Sequence, residues 1–154
     1  MGPFVNMGVS MPADTKDHID ARRGETPLST HLATDLATLW AILDIGLREA
    51  RALFNKNEAS LILSAQRDVI VNPESLSAWV YSEFVRRIEE SCTLDGLAEK
   101  WKCDSDALLK KLRQASPLAI VALLDWTTTF WRTHNTSGVS FDAAVSGFVG
   151  TKMD

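Results

Sequence analysis

The stretch Thr26–Phe54, TPLSTHLATDLATLWAILDIGLREARALF, decides the fold class. Leu32, Leu36, Leu39, Leu43, Leu47, Ala50 and Phe54 recur three or four residues apart, which is the spacing of one face of an α-helix. Thr26 is a competent N-cap, and Pro27 suits the first helical position, where a missing N–H leaves nothing unpaired. The stripe predicts a helix of roughly seven turns. Trp40, Ile42 and Ile45 widen it beyond a single face. Two readings follow: a central helix buried on several sides, or a second apolar face kept for a partner or a dimer mate.

Outward from that helix the pattern stays helical. Asn55-Lys56-Asn57 interrupts it, and Asn57 can cap a short helix over 58–67 with Glu58 in its first turn and Ala59, Leu61, Ile62 and Ala65 as apolar positions. Val69–Val71 reads as an extended connector. Asn72-Pro73 restarts a helix to about Cys92, with Leu76, Trp79, Val80, Phe84 and Ile88 inward. Its polar face carries Glu83, Arg86, Arg87, Glu89 and Glu90, so Glu83–Arg87 and Arg86–Glu90 can pair across one turn. Two short helices follow near Leu94–Trp101 and Ser105–Gln114. Ser116-Pro117 opens another to about His134, with Ile120, Leu123, Leu124, Thr127, Phe130 and Trp131 mostly inward. Asn135–Gly138 reads as a loop, and Phe141, Val145 and Phe148 mark a last helix before Gly150. The expected architecture is an all-α, irregular single-domain bundle of six or seven helices.

At the front, residues 1–25 scatter Gly2, Pro3, Gly8, Pro12 and Gly24 among charges and methionines without a sustained period. They predict a flexible, disordered N-terminal tail with at most a short turn of helix around Thr15–Arg23. Both Met1 and Met7 read as translation starts. The helical domain is expected over 26–149, with a C-terminal tail at 150–154.

With 154 residues and 45% hydrophobic content, the chain has a one-domain length and enough apolar material for a core. Its net charge of −4 is spread evenly and argues against a general polyanion binder. Met1–Arg22 shows neither a basic n-region nor a continuous apolar h-region. The longest apolar run, Leu118–Leu124, is far shorter than a membrane span, so a cytoplasmic protein without membrane contact is expected. Cys92 and Cys103 then read as small buried side chains in a reducing compartment.

The segment Leu97–Leu112, LAEKWKCDSDALLKKL, lies within Leu94–Gln114 and has the general form of a helix-turn-helix. Ala98 stands where the second helix needs a small neighbour, and Trp101, Cys103 and Leu108 supply apolar residues around the turn. Ser105, Lys110, Lys111 and Arg113 are the candidate DNA contacts on the second helix. Against that reading, Lys102 stands where many such turns have glycine, and Lys111 falls at a position usually buried and apolar. Asp104 and Asp106 would meet phosphates at the front of the helix.

Catalytic signals are missing from the sequence. His18, His31 and His134 have no cysteine or carboxylate at metal-ligand spacing, although His31 and Asp35 form an i,i+4 pair. No glycine-rich phosphate loop occurs. No enzymatic activity, metal or cofactor is expected. Five tryptophans in so small a chain suit either core or contact surface. Trp40, Ile42 and Ile45 on the first helix, with Trp126, Phe130 and Arg132 on the later one, are the candidate partner contacts.

Asn57–Leu63, Leu94–Trp101, Leu123–Trp126 and Phe130-Trp131 resemble segments of uncharacterised small all-helical proteins encoded on bacterial mobile elements. The resemblance covers about half the chain, from about residue 53 to 132. It carries no known active site, and it implies a bacterial or phage protein that acts by binding. Together these readings favour a non-enzymatic regulator or inhibitor working through a protein partner or self-association. A DNA-binding regulator using 94–114 is the alternative.

Overall fold

The computed structural model describes residues 8, 10–67, 86, 88–89 and 94–150. These form seven helices and no strand: α1 (Ala13–Arg23), α2 (Leu28–Leu53), α3 (Lys56–Ala65), α4 (Leu94–Lys100), α5 (Ser105–Gln114), α6 (Pro117–Ser137) and α7 (Phe141–Val149). The chain is all-α, as expected. The connector at Val69–Val71, the inward set Leu76, Trp79, Val80 and Phe84, the pairs Glu83–Arg87 and Arg86–Glu90, and Cys92 lie outside the described residues. Of the helix expected up to Cys92, Arg86, Ile88 and Glu89 are helical, and Ile88 is fully buried.

Contacts group the chain into Met1–Trp40 and Ala41–Asp154, a division that falls inside α2. In the first unit, α1 occupies the segment where a short turn was expected and buries none of its residues. Local charge pairs brace it: Lys16 and Arg23 each reach Asp20 at 2.7 Å. Together they hold the Asp20 carboxyl below its ordinary pKa. On α2, His31 Nε2 lies 3.0 Å from Asp35 Oδ2, the pair read from spacing, and Arg22 stands 3.7 Å from the same carboxylate. Pro27 is the N-cap of α2 and not its first helical residue, because its carbonyl accepts from the His31 N–H at 3.0 Å.

The second unit is built around α3. Glu58, Ala59, Ser60, Leu61, Ile62 and Leu63 are all buried, as is Gln66 just beyond the helix. A helix apolar or small on every side belongs in the middle of a bundle. The expectation that α2 is the central helix is therefore corrected: only Gly46 and Ala50 are buried along its length. The cap is corrected as well. Asn55, and not Asn57, accepts from the Glu58 N–H at 2.9 Å, while Glu58 Oε1 accepts from the Asn55 N–H at 3.3 Å. This reciprocal capping box satisfies two otherwise orphaned donors at once.

Helices α4 and α7 pack on α3, and α5 packs on α4. Leu108 and Leu112 of α5, Ile120 and Leu123 of α6, and Val145 and Phe148 of α7 complete the core. Ser116 caps α6 by accepting from the Ala119 N–H at 3.1 Å, and Pro117 takes the first helical position as read from sequence. The helix runs through Asn135–Ser137, which were expected to be loop. Gly138 alone ends it, in a left-handed conformation at φ 69° that glycine adopts without penalty. Arg51 donates to the Phe148 carbonyl and, at 3.4 Å, to the Gly147 carbonyl, closing the C-terminal end of α7 with a cation.

One close approach fixes how α2 meets α6. A Cβ built on Gly46 would stand 2.3 Å from the Leu118 carbonyl oxygen and 3.0 Å from Ala122 Cβ. Only glycine lets these two backbones lie so near.

Candidate functional site

Beside that crossing, the surfaces of α2 and α6 part and leave a groove of about 450 Å3. Leu43, Asp44 and Leu47 of α2 form one wall. Ala122, Asp125, Trp126, Thr129, Phe130, Thr133 and Ser137 of α6 form the other, and Val139 and Ala144 close one end. The α6 residues fall three and four apart, so one face of one helix lines most of the cleft. Trp126 is held in place by stacking on Phe148 at 4.4 Å, and Phe130 meets Trp131 edge-on at 4.8 Å. The walls are therefore rigid aromatic and aliphatic surface, and the volume lies in the range of binding pockets, about 300–1,000 Å3.

Two carboxylates interrupt the apolar lining. Asp44 is paired with Arg48 one turn along α2. Asp125 has Arg132 as its nearby charge, and partial burial beside the groove pushes its carboxyl above the ordinary value more than Arg132 draws it down. A carboxylate in this setting gains from an incoming cation. Trp126 and Phe130 of the expected contact set thus sit together in the groove, and Arg132 acts on its carboxylate.

Ile42 and Ile45 lie outside the groove lining and are 43% and 50% exposed, while Trp40 in the first unit is 67% exposed. Leu36 and Leu39 are uncovered in that same unit, although their spacing made them core candidates. Of the groove residues, spacing singled out only Leu43, Leu47, Trp126 and Phe130; Asp125, Thr129 and Val139 are among those it missed. Thr129 and Asp125 are polar residues inside an apolar helix, and only their place on the Trp126 face gives them away.

The helix-turn-helix segment folds as two helices joined by a tight turn. The Cys103 N–H donates to the Ala98 carbonyl at 2.9 Å and the Lys102 N–H to that of Glu99 at 3.2 Å. This is a Schellman turn, and Lys102 at φ 54° fills the left-handed position that glycine usually takes. Asp104 caps α5 by accepting from the N–H groups of Asp106 and Ala107 at 3.0 and 3.1 Å. Of the candidate DNA contacts, Lys111 reaches into the protein and pairs with buried Glu58 at 2.7 Å. Arg113 pairs with Glu89, its Nε donating at 2.7 Å. Ser105 is half-buried and Lys110 exposed.

Cys103 is a free thiol, and burial, aided by the Glu58 charge, pushes its pKa up. Among the described residues no group of three His, Cys, Asp or Glu side chains is placed to hold a metal ion. No described helix is long and apolar enough to cross a membrane. No protein-family model, no curated protein and no solved structure matches the chain.

Proposed function

We propose that the chain is a non-enzymatic helical binding protein, a regulator or inhibitor working through protein–protein contact. The groove along α6 receives an apolar segment of a partner protein that carries one basic side chain. The observation that carries this reading is a preformed aromatic cleft with a solvent-exposed carboxylate, Asp125, in its wall. Apolar clefts with a few convergent polar groups are the usual form of a binding site. Trp126, half-buried in the cleft, is a residue type that concentrates binding energy when a partner covers it, whereas Phe130 is buried in the core and forms the floor behind it. Exposed Ile42, Ile45 and Val121 add apolar surface in the same unit.

A DNA contact through α5 has less to support it. Lys111 and Arg113 already neutralise carboxylates of this chain, and Asp104 and Asp106 stand at the end that would enter the groove of a duplex. The test compares capture from a bacterial extract by the wild-type chain, by Thr129→Arg, which fills the groove, and by Lys110→Gln. The proposal expects a partner whose recovery falls at least about tenfold with Thr129→Arg and is unchanged with Lys110→Gln. Equal recovery by all three chains overturns it. A concentration-dependent dimer that Thr129→Arg abolishes replaces the partner with a second copy. Duplex binding that weakens steeply with salt and is lost in Lys110→Gln replaces it with DNA.

A further inference from the structure

A second cavity, separate from the groove, lies where the ends of α3 and α4 meet Trp131 of α6 and Phe141 of α7. Its volume is about 370 Å3. Leu97, Trp101, Trp131 and Phe141 line it, with Arg67 and Lys100 among the lining residues. The polar edges of the two indoles are already satisfied. Trp101 Nε1–H donates to Ser64 Oγ at 3.1 Å, and Trp131 Nε1–H donates to the Leu63 carbonyl at 2.8 Å. What the rings have left to offer is their flat surface. Trp101 and Phe141 lie parallel at 5.4 Å with 10° between planes, so they stack on each other and leave their outer faces to a ligand ring.

The two cations sit against the tryptophan rings. Lys100 Nζ is 5.2 Å from the centre of the Trp101 ring, and Arg67 Cζ is 5.9 Å from that of Trp131. Neither has a carboxylate within ion-pairing distance among the described residues. Lys56, Lys102, Lys110 and Arg132 likewise show no ion pair among the described residues, so what marks Lys100 and Arg67 is their place over tryptophan rings. The rings hold the charges in place through cation–π attraction, and the charges stay open to an anion.

We propose that this cleft binds a small planar aromatic ligand bearing a phosphate, of mononucleotide class. The ring lies against the Trp101–Phe141 and Trp131 surfaces, and the phosphate is drawn by Lys100 and Arg67. Stacking on indole and phenyl faces accepts any base, whereas the guanidinium and ammonium select the anion. This site shares no lining residue with the groove, so each stands or falls alone.

The experiment is a titration of the 15N-labelled full chain with AMP, followed at the tryptophan indole N–H signals. Trp101 and Trp131 report on the cleft, and Trp40 and Trp126 serve as internal references. The proposal expects saturable shifts at Trp101 and Trp131 with AMP in the millimolar range or below, and none at Trp40 or Trp126. Lys100→Gln with Arg67→Gln should weaken binding at least about tenfold, and adenosine should bind weaker than AMP by a similar factor. Both cations lie on exposed positions, so the double variant keeps its fold, which unchanged Trp126 shifts verify. Absence of a saturable shift at about 10 mM AMP, or equal affinity in the double variant, overturns the proposal. Equal affinity for adenosine does the same.

Discussion

Replacing Gly46 with alanine separates the effect of helix propensity from that of packing. In an exposed helix interior, Gly→Ala stabilises by about 1 kcal/mol, because glycine surrenders more backbone freedom on folding. At Gly46 the new Cβ would stand 2.3 Å from the Leu118 carbonyl oxygen, against an ordinary contact of 3.4 Å or more. Relief requires about 1 Å of retreat, and the obstacle is backbone in the middle of the α2–α6 crossing, not a side chain free to rotate. Overpacking of a well-filled interior costs about 1–3 kcal/mol, and moving a helix places this case at or above the upper end. After the propensity gain is subtracted, Gly46→Ala should destabilise by about 2 kcal/mol, or lower the melting temperature by about 4–8 °C. Gly96 supplies the control, since it sits in α4 and a Cβ added there would meet nothing within 4 Å. Gly96→Ala should raise stability by about 0.5–1 kcal/mol. Urea unfolding followed by circular dichroism measures both. If Gly46→Ala stabilises like Gly96→Ala, the close crossing is wrong, and so is the shape of the groove beside it.

Other perturbations probe the turn, the buried ion pair and the groove carboxylate. Lys102→Gly relieves a left-handed lysine and should add about 0.5–1 kcal/mol in the same urea assay; a loss would mean the turn is not the Schellman turn described. Lys111→Met leaves the Glu58 carboxylate buried without its cation and should cost about 2–3 kcal/mol. Pairing it with Glu58→Gln should recover a good part of that loss, and simple additivity of the two would show that they do not interact. Asp125 has a raised pKa when folded, so the folded state keeps its proton to higher pH than the unfolded chain does. Its stabilising share is complete below the ordinary value of 3.8 and is lost as pH rises through the folded value. Asp125→Asn should therefore stabilise the protein at pH 7 and lose that advantage near pH 3.5; a gain independent of pH would refute the raised Asp125 pKa.

Helix positions were legible because local chemistry marks them. Ser116-Pro117 opens its helix by side-chain and backbone rules that need no tertiary context, whereas the caps read at Thr26 and Asn57 were displaced to Pro27 and Asn55. Burial was less legible. The leucine stripe of α2 has the spacing of a core helix, yet Leu36 and Leu39 are exposed, while the shorter α3 takes the centre. Periodicity reports which residues share a face and says nothing of whether another element covers it. The same limit hid Lys111. Its basic neighbours made it look like a phosphate contact, but Glu58 is 53 residues away in sequence and only folding brings the two together. Trp126 and Phe130, conspicuous as aromatic residues of one helix, both line the groove, Phe130 as part of the core. Asp125 became meaningful only once the walls around it were known.

The groove and the close crossing at Gly46 have a common physical origin. Glycine at that position lets α6 approach α2 closely, and Ala122 keeps the contact small on the other side. Where larger residues follow on each helix, Leu43 and Leu47 on one and Trp126 and Phe130 on the other, the surfaces must diverge. A close crossing flanked by large side chains thus opens a cleft beside it. The stability of the crossing keeps the cleft open, since collapse of the groove would drive backbone into backbone at Leu118. A partner segment entering it meets a surface that is already ordered, so little conformational freedom is lost from this chain on binding. That preorganisation is what distinguishes the groove from the scattered exposed side chains Trp40, Ile42 and Ile45, which present apolar area but no shape.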